Sequence, residues 1–196
     1  MKDNTLFFDT ETTGIIPRGV SDPCRQTAAY PHVVQLSWKI GDKEGDFIIR
    51  PEGFTIPDEA AKVHGITTEK ALAEGVPYKD AFLKFFADVQ TADTICAHNA
   101  AFDKAVIIAE YVRMSNAARA TAFANFLAKK TIFDTMLATV EYVGARYKDG
   151  RPGKYPRLEE LYAKLFNGES FPAHNSMEDV RALAKCYFEC KKRLIF

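Results

Sequence analysis

The run Thr5-Leu6-Phe7-Phe8-Asp9-Thr10-Glu11-Thr12-Thr13-Gly14 decides how the chain reads. Leu6, Phe7 and Phe8 are continuously apolar, as in a central strand buried on both faces, and a strand is expected over Thr5 to Glu11. Two carboxylates, Asp9 and Glu11, close it. Period-two geometry puts both on one face, roughly 7 Å apart. They end a buried run rather than a solvated edge, so their charges repel and one would normally neutralise. A divalent cation removes that conflict.

Downstream, residues 14–31 carry Pro17, Pro23 and Pro31 among polar residues and read as a loop. Val33 to Ile40 is a second strand and Phe47-Ile48-Ile49 a third, stopped by Pro51. Gly41 to Gly45 reads as a five-residue hairpin loop between them. Helices are expected over Asp58 to His64, ending at Gly65, and over Pro77 to Gln90, where Ala81, Phe82, Phe85, Phe86 and Val89 repeat at helical period. Thr94 to Ala97 is a brief strand, and Asn99 can cap a helix running to about Met114. An alanine-rich helix, Ala117 to Lys130, precedes a last strand at Thr131 to Phe133 and a helix from about Asp134. Helices at Leu158 to Phe166 and Ser176 to Lys192 follow. This order implies an α/β fold on a mixed sheet whose first three strands are antiparallel.

The composition bounds the function. The chain has 196 residues, 47% of them hydrophobic, with 26 Lys+Arg against 26 Asp+Glu. Such a chain builds one core, and a single domain over residues 1–196 is expected. Zero net charge excludes a bulk positive field, so nucleic acid would have to be handled at a local site. No run approaches the ~20 apolar residues of a membrane span, and the N-terminal apolar run is too short for a signal peptide; a cytoplasmic location with no membrane partner is expected. Cys24, Cys96, Cys186 and Cys190 form no CxxC pair and read as core thiols.

Three more groups bear on the acids of the first strand. Asp103 sits in the first turn of its helix and shares a face with Val106 and Ile107. The macrodipole alone would favour an acid there, but one on an apolar face needs a partner. Asp179 shares a face with Leu183 and Cys186, although Ser176-Met177-Glu178-Asp179 also fits a capping box. His174 precedes Asp179 by five residues, about 500° of helical rotation, so both can serve one site only if His174 lies on the loop ahead of the helix. A loop histidine, mobile and partly hydrated, suits proton exchange near neutral pH.

In chain order these residues are Phe8-Asp9-Thr10-Glu11-Thr12-Thr13-Gly14, His98-Asn99-Ala100-Ala101-Phe102-Asp103 and His174-Asn175-Ser176-Met177-Glu178-Asp179, with Val63-His64-Gly65-Ile66-Thr67 between the first two. On these motifs the sequence resembles the DEDDh 3'→5' exonucleases, the family of the proofreading epsilon subunit of bacterial DNA polymerase III. The resemblance runs from Leu6 to about Tyr187.

The resemblance implies a ribonuclease H-like fold, a five-stranded mixed sheet with helices on both faces. It implies that Asp9, Glu11, Asp103 and Asp179 hold two divalent cations, with Asp9 bridging them. Hard oxygen ligands fit magnesium or manganese and not zinc. His174 would be the general base and nucleoside 5'-monophosphates the product, released from the 3' end of nucleic acid. Single-stranded DNA is the expected substrate, with RNA 3'-end trimming or a catalytically silent binding module as alternatives. The backbone at Thr10 to Thr12 would lie against the terminal nucleotide, with Thr12 near its 3'-hydroxyl and His64 and Ile66 as a wall under the last base and sugar. For Asn99, helix capping and a substrate contact both stand. Asp134 resembles a recurring family acid that is normally structural. A DNA polymerase or a repair complex is the implied macromolecular partner. The loop from Gly144 to Arg157 carries Arg146, Lys148, Arg151, Lys154 and Arg157 against Asp149 alone, a local positive field able to steer a phosphate backbone.

Overall fold

The computed structural model describes residues 3–196. The first three strands are β1 (Thr5–Thr12), β2 (Val33–Ile40) and β3 (Lys43–Ile48). Three helices follow, α1 (Asp58–His64), α2 (Thr68–Glu74) and α3 (Tyr78–Thr91), then strand β4 (Thr94–Ala97) and helices α4 (Ala100–Met114) and α5 (Ala117–Ala128). Strand β5 (Thr131–Asp134), helices α6 (Thr135–Ala138), α7 (Val140–Val143), α8 (Leu158–Leu165) and α9 (Ser176–Lys192) complete the order. The sheet runs β3-β2-β1-β4-β5. β1–β2 and β2–β3 are antiparallel, while β1–β4 and β4–β5 are parallel. This is the mixed five-stranded sheet the resemblance implies.

β1 is the middle strand, and its alternation divides the molecule. Leu6 and Phe8 enter a core with Trp38, Phe82, Phe85, Val106 and Ile107, which α3, α4 and α5 cover. Phe7 enters the opposite core with Leu161, Val180, Leu183 and Cys186, which α8 and α9 cover. Both faces of the strand are dry, as its unbroken apolar run requires. Cys96, Cys186 and Cys190 are buried thiols and Cys24 is half-buried.

The hairpin is tighter than its sequence suggests. Ile40 pairs with Lys43, so the loop is the two residues Gly41 and Asp42, and β3 begins at Lys43. Gly41 takes φ 56°, which permits so short a turn. Gly45, read as loop, lies instead in the strand opposite Trp38; a Cβ there would fall 2.2 Å from the indole. The short helix α2, capped by the Thr67 side chain on the Lys70 N–H, has no clear apolar period and went unread. Within 14–31 there is one 3₁₀ turn, Thr27–Ala29. Among the described residues no helix is long and apolar enough to cross a membrane.

Candidate active site

β1 pairs with β4 only from Thr5 to Phe7, whereas its pairing with β2 continues to Thr12. Beyond Phe7 one edge of β1 is therefore released at the carboxyl ends of the two parallel strands, where α/β sheets open a crevice. Asp9 and Glu11 stand on this free end. The register shifts between Glu11 and Thr12, an irregularity of the kind that re-aims side chains beside functional sites.

The first turn of α9 meets them. Asp9, Glu11 and Asp179 each present a carboxylate oxygen within 4.8 Å of the others. Ser176 sets this approach: its hydroxyl donates to the Asp9 carbonyl at 2.8 Å, and its N–H donates to Gln35 Oε1 at 3.4 Å. Gln35 Nε2 and the Ser37 hydroxyl both donate to Asp46 Oδ1 at 2.7 Å. Gln35 and Ser37 are the cross-strand partners of Glu11 and Asp9. This polar brace was missed in the sequence. Its signal was two polar residues, Gln35 and Ser37, alternating in register among the apolar residues from Val33 to Trp38 of β2.

Ser176 is consequently not the helix cap that the capping-box reading made it. Asn175 occupies that position and accepts from the Glu178 N–H at 3.3 Å. The serine is spent on β1, while the Asp179 carboxylate accepts from the backbone at His174 and Asn175 ahead of the helix.

Asp103 lies outside the close trio. Its Oδ1 accepts from the Thr10 N–H at 3.1 Å and from the Thr10 hydroxyl at 2.7 Å. That N–H is one that β4 does not reach. Thr10 is thus buried and turned to Asp103, while the Thr12 hydroxyl donates to the Gly14 carbonyl at 2.7 Å. Asp103 remains close enough to act on the trio: its charge is the largest of the neighbouring charges that raise the Asp9 pKa.

The electrostatics follow from burial that the hydrogen bonds to these groups only partly offset. Burial pushes Asp9 well above the usual carboxylate range, and Asp103, Asp179 and Glu11 add to it. Burial, then Asp179 and Asp103, carry Glu11 to about 8. Asp179 rises to about 7, through burial first and the charges of Glu159 and Glu178 after it. Burial also carries Asp103 to about 7 against the pull of its Thr10 bonds. Among the described residues no lysine or arginine pairs with any of the four.

His174 lies on the loop ahead of α9, as the angular argument requires, with φ 66°. Its side chain is 56% exposed, and Nε2 faces Glu159 Oε1 at 3.9 Å. Glu159, in the first turn of α8, is a site neighbour that no local sequence signal announced.

Asn99 does not cap α4. It takes the left-handed conformation, φ 79°, and its side chain makes no cap bond. Asp134 does the capping instead, accepting from the Asn99 N–H at 3.1 Å and the Ala100 N–H at 2.9 Å, and from Met136 N at 3.0 Å at the start of α6. Asp134 is structural, and the Asn99 carboxamide is left without a cap bond just beyond the carboxyl end of β4.

His64 and Ile66 are both buried. His64 Nδ1 accepts from the Ile66 N–H at 3.2 Å, which leaves the ring proton on Nε2, buried and without a partner. Burial pushes the His64 pKa down, with the nearby Thr12 backbone acting weakly against it. A cavity of about 430 Å³ lies elsewhere, among His32, Phe54, Tyr78 and Arg113, and none of the candidate site residues lines it.

A mixed sheet with carboxylates gathered at the free end of its central strand defines a nuclease-type α/β fold. The family model RNase_T, described as an exonuclease, matches residues 6–187, and the chain belongs to this family of DEDDh-type 3'→5' exonucleases. Among solved structures, Escherichia coli exonuclease I bound to a dA16 oligonucleotide matches with a TM-score of 0.68 at 21% identity, over 99% of this chain and 42% of that one. Exonuclease I from Methylocaldum szegediense gives 0.65 at 17% identity, over 97% and 40%. These likenesses show the ribonuclease H-like fold, and the chain spans about 42% of the length of the first of these structures. No curated protein matches the sequence significantly.

Proposed function

We propose that the chain is one exonuclease domain that hydrolyses the phosphodiester at the 3' end of single-stranded DNA and releases nucleoside 5'-monophosphates. The observation that carries this reading is the trio Asp9, Glu11 and Asp179, within 4.8 Å of one another and, among the described residues, in no ion pair with a lysine or arginine. Left alone, the trio is a half-buried like-charge conflict. Two hard divalent cations, magnesium or manganese, resolve it, and the donor set is all oxygen. Asp9, Glu11 and Asp179 are the residues to hold them, with Asp103 reached from the other side of β1. When bound, such ions supply an activated water and stabilise the leaving 3'-oxygen.

The chain's own groups do the rest. His174, exposed on its loop and able to swing away from Glu159, takes the proton of the attacking water. Thr12, whose hydroxyl retains its lone pairs, accepts from the terminal 3'-hydroxyl. Ile66 packs under the last base and sugar, and His64 offers its unpartnered Nε2–H to the same nucleotide. Asn99, relieved of capping, adds a carboxamide contact. Such a wall reads shape and stacking rather than base identity. The DNA oligonucleotides held by structures of E. coli exonuclease I support DNA as the substrate.

The test is a time course on 3'- and 5'-labelled DNA and RNA oligonucleotides in magnesium and in manganese, with Asp9→Ala as control. Mononucleotides leaving the 3' end of DNA, only with metal and only from the unsubstituted protein, are expected. Release from the 5' end refutes the polarity, and an active Asp9→Ala protein refutes the site. His174→Ala is expected to slow release about a hundredfold.

A further inference from the structure

The loop between α7 and α8 carries aromatic as well as basic side chains, and the structure shows which of them are free. Two of its charges are spent locally: Arg151 Nε bonds Asp149 Oδ2 at 2.7 Å, and Lys154 Nζ bonds Glu160 Oε1 at 2.7 Å. Arg157 lies 3.9 Å from the same Glu160 oxygen. Arg146 meets only the Gly150 carbonyl, at 2.9 Å, and Lys148 has no ion pair among the described residues. Tyr147 and Tyr155 are 44% and 56% exposed. The Arg151 guanidinium lies 5.3 Å from the Tyr147 ring centroid, and Tyr147 and Arg151 also join through the backbone at 2.9 Å, so this ring is held rather than loose.

The loop is tied to the rim of the site at both sides of its exit. His98, the residue before Asn99, bonds the Pro156 carbonyl through Nε2 at 2.9 Å and Thr135 through Nδ1 at 2.9 Å. Three residues beyond Pro156, Glu159 faces His174. A strand with its 3' end at Asp9 therefore has this loop beside its path.

We propose that Tyr147 and Tyr155 form a stacking platform for unpaired bases upstream of the scissile bond, with Arg146 and Lys148 on the adjoining phosphates. The proposal rests on the exonuclease reading above and names the surface that would select a single strand upstream of the cut. Only unpaired bases expose both π-faces to an aromatic ring; in a duplex they stack on each other. Exposed tyrosines among uncompensated cations are the combination that single-strand sites use.

The test is binding by fluorescence anisotropy in EDTA, where no hydrolysis occurs, using labelled dT12, an abasic 12-mer of equal charge, and a blunt 12-base-pair duplex. The intact protein is expected to bind dT12 at least tenfold more tightly than either of the others, a comparison that needs no variant. In Tyr147→Ala/Tyr155→Ala the advantage over the abasic strand should vanish, and in Tyr147→Phe/Tyr155→Phe it should persist. Arg146→Gln/Lys148→Gln should reduce the salt dependence of dT12 binding. Equal affinity of the intact protein for dT12 and the abasic strand overturns the proposal, as does an unchanged preference in the double alanine variant. If the intact protein releases mononucleotides and either of these results holds, the platform fails while the exonuclease reading stands. If it neither releases them nor binds any oligonucleotide, both fail.

Discussion

Acids at the crevice and acids in the body of the fold are treated in opposite ways. Asp9, Glu11 and Asp179 are half-buried, while Glu110 and Asp88 are buried outright. Glu110 accepts from His32 Nδ1 at 2.9 Å, the Val33 N–H at 3.1 Å and Arg113 Nη1 at 2.8 Å. Asp88 accepts from Trp38 Nε1 at 2.8 Å and pairs with Lys43. Asp134 accepts backbone N–H groups at two helix starts. Asp9, Glu11 and Asp179 share one small volume with no base among them. An isolated buried charge costs several kcal/mol and is retained only where something outside the chain compensates it. Burial therefore does not set the crevice acids apart in this molecule. The missing partner does.

Substitution at each group should sharpen or break that contrast. Asp9→Asn is expected to lower mononucleotide release by roughly a thousandfold, the scale of several kcal/mol of lost charge stabilisation. It should at the same time raise the melting temperature of the metal-free protein, because one repelling charge is gone. A fall in both would place Asp9 with the structural acids. Glu110→Ala should do the reverse in kind: about 3 kcal/mol of stability lost in denaturant titration, through the stranded Arg113. Asp134→Ala should cost about 2 kcal/mol, since two helices lose a cap.

The smallest effect is a pH dependence that only the unpaired group can produce. Glu11 titrates at about 8 in the fold against an ordinary 4.5, and Asp103 and Asp179 at about 7 against 3.8. Between those limits the native state holds more protons than the unfolded chain, so stability falls as pH rises. Calorimetry of the metal-free protein should show a melting temperature a few degrees lower at pH 8 than at pH 5, and manganese should remove the difference. A melting temperature that instead rises with pH would mean that the acids are already compensated within the chain.

Much of this was legible locally. The apolar run of β1, the acids two residues apart and the loop position of His174 each follow from spacing along a few residues. The angular argument placed His174 off the helix because five residues cannot share a helical face. What the sequence hid was long-range bonding. Asn99 is a good cap by type, but Asp134, thirty-five positions later, reaches its N–H first. Ser176 likewise yields its cap role for a bond to β1 that spans 167 positions. The loop at 14–31 looked unstructured for the same reason: Arg113 on α4 holds it through the carbonyls of Thr27, Tyr30 and Pro31, and no pattern within the loop announces that clasp. The hairpin was misjudged for a different reason. Gly45 resembles a turn residue, whereas it is small to make room for Trp38.

The placement of β1 at the centre of the sheet also sets a timetable for synthesis. The strand is made before its parallel neighbour, which follows some ninety residues later, and before α9, with Asp179, which is later still. A nascent chain on the ribosome thus carries Asp9 and Glu11 before Asp103 and Asp179 exist. The carboxylate trio can close only once the start of α9 has been made, so a product cut short ahead of Asp179 would lack the cluster outright rather than hold a weakened form of it.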